Sequence, residues 1–164
     1  MAEFISAILP IKHDFLLVDI GSDLGFLGIE LLKRDMVKEV WNVELSKVSL
    51  KDSKEIYLKK NLDSQAKFIF SDGFQDIPLE GIKDYREIII VLAGLGSKKI
   101  ISILNGLPDL WKNKKLWLCC LPHAHPNQIK KWSETCEWDL LIEEEMTFKE
   151  KIYSIFLFSL KKLN

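Results

Sequence analysis

Apolar and polar positions alternate along this chain in blocks that predict strands separated by helices. Two nearly continuous apolar runs, Leu16–Ile20 and Glu87–Leu92, are typical of strands buried on both faces of a parallel sheet. After the first run, apolar residues recur from Phe26 to Met36 at helical spacing, which predicts a helix packed on that sheet. Further strands are predicted at Val40–Glu44, Ala66–Phe70, Lys115–Leu121, Trp138–Ile142 and Ile152–Leu160.

Helix signals fall between most of these strands. The spacing predicts a short helix over residues 2–9 ended by Pro10, and a lysine-rich helix capped by Ser46 and running to Leu62. Two more helices are predicted to begin at Ser97 and at Pro126. The last two strands follow each other directly. We therefore predict a Rossmann-like α/β fold, a seven-stranded, mostly parallel sheet with one antiparallel strand near the C-terminus and helices on both faces.

Length and composition suit a single globular domain over residues 1–164, with 48% hydrophobic residues to form a core. No apolar run approaches the roughly 18 residues of a membrane span, and no basic leader precedes one, so we expect a cytoplasmic protein. Of the three cysteines, Cys119 and Cys120 are adjacent on a predicted strand and point to opposite faces, which indicates reduced core residues.

The net charge of −1 argues against a protein that holds nucleic acid by overall charge alone. Positive charge is almost all lysine, gathered in pairs such as Lys59–Lys60 and Lys98–Lys99. Such pairs are usually solvated helix or loop faces, so any nucleic-acid contact has to come from local patches.

The first long apolar run ends in a carboxylate and breaks into a glycine-containing turn before the next helix. This is the usual start of a nucleotide-type site, although such a turn can be purely structural. The turn does not match the G-x-G-x-x-G pattern of dinucleotide-binding sites, because Asp23 takes the place of the second glycine and Phe26 that of the third. The carboxylates of Asp19 and Asp23 would repel an anionic pyrophosphate and so disfavour its binding. They suit S-adenosylmethionine, whose ammonium and sulfonium are cationic.

Three other predicted strands also end in residues that suit a ligand site. Glu44 ends the second strand, about 25 residues after Asp19, at the offset where nucleotide folds place a carboxylate for ribose hydroxyls. The third strand ends at Asp72-Gly73, where the protein could contact an adenine amino group. Asp-Gly is equally typical of an ordinary turn. The fourth strand runs into small residues at 93–96, which leave room for a ligand or for close helix packing.

The pair His123 and His125 has metal-like spacing, but no third ligand lies at a recognised distance along the chain. We therefore expect no metal.

The order of these motifs resembles one enzyme family. Asp19-Ile20-Gly21-Ser22-Asp23, Asp72-Gly73, Leu92-Ala93-Gly94-Leu95-Gly96, Leu121-Pro122 and Tyr153 follow one another as in the bacterial TrmK-type tRNA (adenine-N1)-methyltransferases. Those enzymes are class I methyltransferases that methylate adenine 22 of tRNA with S-adenosylmethionine. The resemblance runs along nearly the whole chain.

The resemblance implies a cofactor site and a neighbouring base site. The implied cofactor-binding residues are Asp19, Gly21, Ser22, Asp23, Glu44, Leu45, Asp72, Gly73, Phe74, Ala93 and Gly94. The implied substrate-binding residues are Phe26, Gly96, His123 and Tyr153. Asp23 is the candidate catalytic group, because N1 alkylation makes the base cationic and a carboxylate stabilises that charge. The implied partner is tRNA, and we expect a monomer or weak homodimer without membrane contact.

The chain departs from the family in three places. The family's D-H-A-Y-L-P is Asp23-Leu24-Gly25-Phe26-Leu27-Gly28 here, so a histidine, a tyrosine hydroxyl and a proline are lost. His123 stands where the family has asparagine. The family's C-terminal coiled-coil extension is not expected after Asn164. Two alternatives therefore stay open, a non-catalytic protein that binds cofactor or RNA, and a class I methyltransferase with a small-molecule acceptor.

Overall fold

The fold is an alternating α/β chain in a computed structural model that describes residues 2–8, 14–148 and 150–161. The strands are β1 Phe15–Ile20, β2 Glu39–Glu44, β3 Ala66–Phe70, β4 Glu87–Ala93, β5 Lys115–Leu121, β6 Trp138–Phe148 and β7 Lys151–Leu160. The helices are α1 Ala2–Ile8, α2 Phe26–Lys33, α3 Lys47–Lys59, α4 Ser97–Leu104, α5 Asp109–Lys112 and α6 Asn127–Ser133. Pro10, predicted to end the first helix, lies outside the described residues.

The strands form one sheet in the order β3-β2-β1-β4-β5-β7-β6. Strands β1 to β5 pair in parallel, and β7 pairs antiparallel with both β5 and β6. The predicted mostly parallel, seven-stranded sheet with one antiparallel strand is confirmed. Strand β1 is buried at every position, and β4 at all but its two ends, as expected for strands covered on both faces.

Two hydrophobic cores lie on opposite faces of the sheet. One packs α4, α5 and α6 against it, and the other packs α1, α2 and α3. Cys120 belongs to the first core and Cys119 to the second, so the predicted opposite orientation of the two thiols is confirmed. Burial raises the pKa of Cys119 to about 12 and that of Cys120 well above its ordinary value, so both are protonated, inert core residues.

Helix α3 shows how local chemistry sets its ends. The Ser46 hydroxyl accepts a hydrogen bond from the backbone N–H of Ser49 at 3.1 Å, which confirms the predicted N-cap. The helix stops at Lys59, three residues before the predicted Leu62. Asn61 adopts a left-handed conformation with φ of 57°, which ends the helix.

Two connections differ from the sequence prediction. Helices do not alternate with strands throughout, because the link from β3 to β4 contains only the 3-10 turn Leu79–Ile82. Strand β6 continues past the predicted Ile142 to Phe148, where it pairs with Lys151. Pairing with β7 satisfies the backbone of this hairpin, so its glutamates can remain in a strand with their side chains in solvent.

Candidate functional site

A cavity of about 310 Å³ opens at the carboxyl edge of the parallel strands, where β1, β2, β3 and β4 all end. Ligands of open α/β sheets bind at this edge, because helices leave it uncovered and the strand ends converge there. Its walls are formed by Ile20, Gly21, Asp23, Val43, Glu44, Leu45, Ser71, Asp72, Gly73, Ala93, Gly94, Leu95, Lys99 and Ile103.

The structure brings most of the predicted cofactor residues together around this cavity. The members that line it are Gly21, Asp23, Glu44, Leu45, Asp72, Gly73, Ala93 and Gly94. Asp19 and Ser22 lie behind its wall, each less than a tenth exposed. Phe74 is buried and lines a neighbouring cavity of about 400 Å³ instead.

The turn after β1 is clamped to the end of β2. The backbone N–H groups of Gly21 and Ser22 donate to the carbonyl of Val43 at 2.8 and 3.2 Å. Gly25 closes the turn with φ of 70°, and a Cβ there would lie 2.7 Å from the side-chain oxygen of Asn42. Only glycine fits both that conformation and that space. The turn therefore reaches the cavity in one defined shape.

Glu44 is held rigidly beside this turn. One carboxylate oxygen accepts from the backbone N–H groups of Leu45 and Ser46 at 2.7 and 2.9 Å. The other accepts from the N–H of Asp23 at 3.0 Å, which leaves lone-pair capacity for a ligand hydroxyl. The carboxylate is thus pre-oriented at the cavity wall.

Asp19 is the buried carboxyl of the site. It is 5% exposed, and burial together with the nearby Glu44 charge raises its pKa from 3.8 to about 7. Tyr57 lies close by, donates to the Gly25 carbonyl at 3.0 Å, and has its own pKa raised by burial. A buried carboxyl with a strongly raised pKa, behind the wall of a ligand cavity, is typical of a functional position.

Lys99 is a cavity residue that the sequence analysis missed. Its ammonium lies 2.7 Å from the carboxylate of Asp72, and both side chains line both neighbouring cavities. The two residues are far apart along the chain, and the only sequence signal was the pair Lys98–Lys99 at the start of a predicted helix. The ion pair stands between the two cavities.

The predicted substrate residues lie on several elements. Phe26 begins α2 and is 59% exposed, and Gly96 is the N-cap of α4. The exposed His123 follows β5, and its ring lies 3.7 Å from the position of a Cβ on Gly96. Tyr153 is half-buried on β7.

The charge of the cavity wall is predominantly negative. Asp23, Glu44 and Asp72 line it, against the single ammonium of Lys99. This wall favours a cationic ligand over a pyrophosphate. Within residues 2–8, 14–148 and 150–161, no cluster of three metal-ligating side chains occurs. No helix in those ranges is long and apolar enough to cross a membrane.

Known proteins share this architecture. The chain is 28% identical over 160 residues to MG248 of Mycoplasma genitalium, a protein named provisionally as a tRNA methyltransferase, with 96% of this chain and 69% of that protein covered. The structure of the B. subtilis m1A22 tRNA methyltransferase TrmK matches with a TM-score of 0.78 at 20% identity, covering 98% of this chain and 65% of that one. M. capricolum TrmK in complex with S-adenosyl-homocysteine matches with a TM-score of 0.82 at 18% identity, covering 98% and 68%.

The structural matches show a shared fold, and the match to a family profile shows which family the chain belongs to. The profile described as "Methyltransferase domain" matches residues 3–156, which include every strand end around the cavity and all but the last part of β7. The chain therefore belongs to the methyltransferase domain family.

Proposed function

We propose that this chain transfers a methyl group from S-adenosylmethionine to ring nitrogen N1 of an adenine in tRNA. The observation that carries the proposal is the acidic cavity at the carboxyl edge of β1 to β4, in a chain of the methyltransferase domain family. The similarity to tRNA methyltransferases supports tRNA as the substrate. One of the similar structures was solved with S-adenosyl-homocysteine, which supports the cofactor.

The residues present fit that cofactor. Glu44 would accept the ribose hydroxyls, since its carboxylate is already oriented by three backbone N–H groups. Asp72 and the half-exposed Leu45 would hold the adenine ring, one by a hydrogen bond and one by its apolar face. Asp19 and Asp23 would favour the cationic methionine end. When bound, the cofactor supplies an electrophilic methyl group.

The chain's own contribution to the reaction is alignment. Adenine N1 already has a lone pair, so no general base is needed, and holding the reacting groups in line supplies most of the rate. The base would have to leave any stack, and the exposed Phe26 ring at the start of α2 offers a surface for it. Asp23, on the cavity wall, would stabilise the positive charge that the methylated base acquires.

The test uses labelled S-adenosylmethionine and unmodified tRNA. Label should enter the RNA and appear as 1-methyladenosine after nuclease digestion and mass spectrometry. Asp23→Asn should lower the turnover, whereas Asp76→Asn, an exposed carboxylate outside the cavity wall, is the matched control. Cofactor binding in a calorimeter without any methyl incorporation would refute the proposal and favour the non-catalytic alternative. Transfer to small molecules alone would favour a class I methyltransferase with a small-molecule acceptor.

RNA binding on this chain would rest on local lysines rather than on overall charge. We expect tRNA affinity to fall as salt is raised, because each lysine–phosphate contact releases counterions. An affinity independent of salt would contradict this part of the proposal. A tRNA substrate also implies a cytoplasmic location.

A further inference from the structure

His123 is held in one orientation by the loop that follows β4. Its backbone N–H donates to the carbonyl of Leu95 at 3.0 Å, and its ring Nδ1 lies 3.0 Å from the carbonyl oxygen of Gly94. Gly94 and Leu95 both line the cofactor cavity. The residue is therefore tied to the cavity rim at two points, once through its backbone and once through its ring.

This hydrogen bond decides where the ring proton lies. A carbonyl oxygen can only accept, so Nδ1 of the neutral imidazole has to carry the hydrogen and donate it to Gly94. The other nitrogen, Nε2, then has a free lone pair. The neutral ring of His123 presents a hydrogen-bond acceptor, not a donor, at the cavity rim.

The cavity wall at Gly94, whose carbonyl holds the ring, is open. A Cβ built on Gly94 would meet no atom within 4 Å, although Gly94 has φ of 73° and lies on the cavity wall. The His123 side chain is exposed, and its Nε2 lies 3.9 Å from the position of a Cβ on Gly96, two residues further along the same loop. An aromatic base that extends from Gly94 toward Gly96 could turn one edge toward Nε2.

We propose that His123 reads the amino group of the target base. An exocyclic amino group next to the reacting ring nitrogen can donate to Nε2, as adenine N6 does beside N1, whereas a carbonyl at that position would face the lone pair and be repelled. His123 is thus a specificity-determining residue that selects amino-bearing bases. This inference rests on the proposed function.

The premise can be tested without catalysis. Two-bond ¹H–¹⁵N spectra of the free protein, at a pH where the ring is neutral, should show His123 protonated on Nδ1, with the resonances assigned by their loss in His123→Asn. A ring protonated on Nε2 would overturn the inference, because no acceptor would then face the base.

The selectivity is tested with two RNA substrates. One carries adenine at the methylated position, and the other carries purine riboside, which retains N1 and lacks the amino group. We expect His123→Phe to reduce the adenine-to-purine ratio of kcat/KM about 3- to 10-fold relative to the wild type, the effect of one lost hydrogen bond. Comparing ratios cancels the different intrinsic reactivity of the two bases. His125→Asn is the matched control, since asparagine tolerates its positive φ of 56°.

The outcomes separate the two proposals. An unchanged ratio in His123→Phe, with both substrates still methylated, would overturn the role of His123 and leave the proposed function standing. Absence of methyl transfer to either RNA by the wild type, with cofactor bound, would overturn both. A reduced ratio together with Nδ1 protonation supports the inference.

Discussion

Replacing Asp19 with asparagine should stabilise the free protein at neutral and alkaline pH. The carboxyl is buried behind the cavity wall beside the charge of Glu44, which raises its pKa from 3.8 to about 7. Ionising it inside the protein therefore costs free energy. Asparagine has the shape of the protonated carboxyl and cannot ionise, so Asp19→Asn removes this cost.

The magnitude follows from proton linkage. Between pH 3.8 and about 7 the unfolded chain has released the Asp19 proton and the folded chain retains it, so the wild type loses stability as the pH rises through this window. At 1.36 kcal/mol per pKa unit, the full loss is about 4 kcal/mol, and about 3 kcal/mol of it falls between about pH 5 and about pH 8. Above about 7 both states are ionised and the penalty is constant.

Urea unfolding at the two pH values measures this effect. The free energy of unfolding of Asp19→Asn should exceed that of the wild type by about 3 kcal/mol more at about pH 8 than at about pH 5. Asp76→Asn, at an exposed carboxyl, is the control and should show a difference near zero at both. The same Asp19 variant should bind S-adenosylmethionine more weakly, because the cavity loses a nearby negative charge.

A stability difference between Asp19→Asn and the wild type that does not change with pH would refute the reasoning. It would mean that Asp19 titrates alike in the folded and unfolded states, so that burial beside Glu44 imposes no ionisation cost.

Three further predictions concern the cavity wall and its supporting turn. Glu44→Gln should weaken S-adenosylmethionine binding about 10-fold or more in calorimetry, because a charge-assisted hydrogen bond is lost, and an unchanged Kd would contradict the ribose assignment. In urea unfolding, Gly25→Ala should destabilise the fold by about 3 kcal/mol and Gly94→Ala by about 1 kcal/mol. Both glycines have φ near 70°, but of the two only Gly25 lacks room for a Cβ. Equal losses of stability would contradict this packing argument. Lys99→Met should change the free energy of unfolding by less than about 1 kcal/mol, because the ion pair is partly exposed. It should raise the affinity for S-adenosylmethionine about fivefold, because it removes a positive charge and frees Asp72. Weaker binding of S-adenosylmethionine would show that Lys99 orients Asp72 instead.

The succession of strands along the chain and the carboxylates at their ends were accessible from the sequence. Continuous apolar runs identified β1 and β4 as central strands, and the Ser46 cap identified the start of α3. Since the carboxyl ends of parallel strands share one edge, Asp23, Glu44 and Asp72 could be expected near one another. These inferences depend only on neighbours a few positions apart along the chain.

Contacts between distant segments were not accessible in the same way. The Asp72–Lys99 ion pair and the hydrogen bond from His123 to Gly94 each join residues more than 25 positions apart. The length of β6 depended on its partner strand, since its glutamates alone favour a turn or helix.

What the sequence determined by itself is the set of side chains delivered to the sheet edge, because periodicity and caps are local properties of the chain. The tertiary structure decided their chemical states. Burial beside Glu44 places the pKa of Asp19 near neutrality, and the Gly94 carbonyl assigns the proton of the neutral His123 ring to Nδ1. Desolvation and hydrogen-bond direction depend on what surrounds a group in space, and only the folded chain specifies those surroundings.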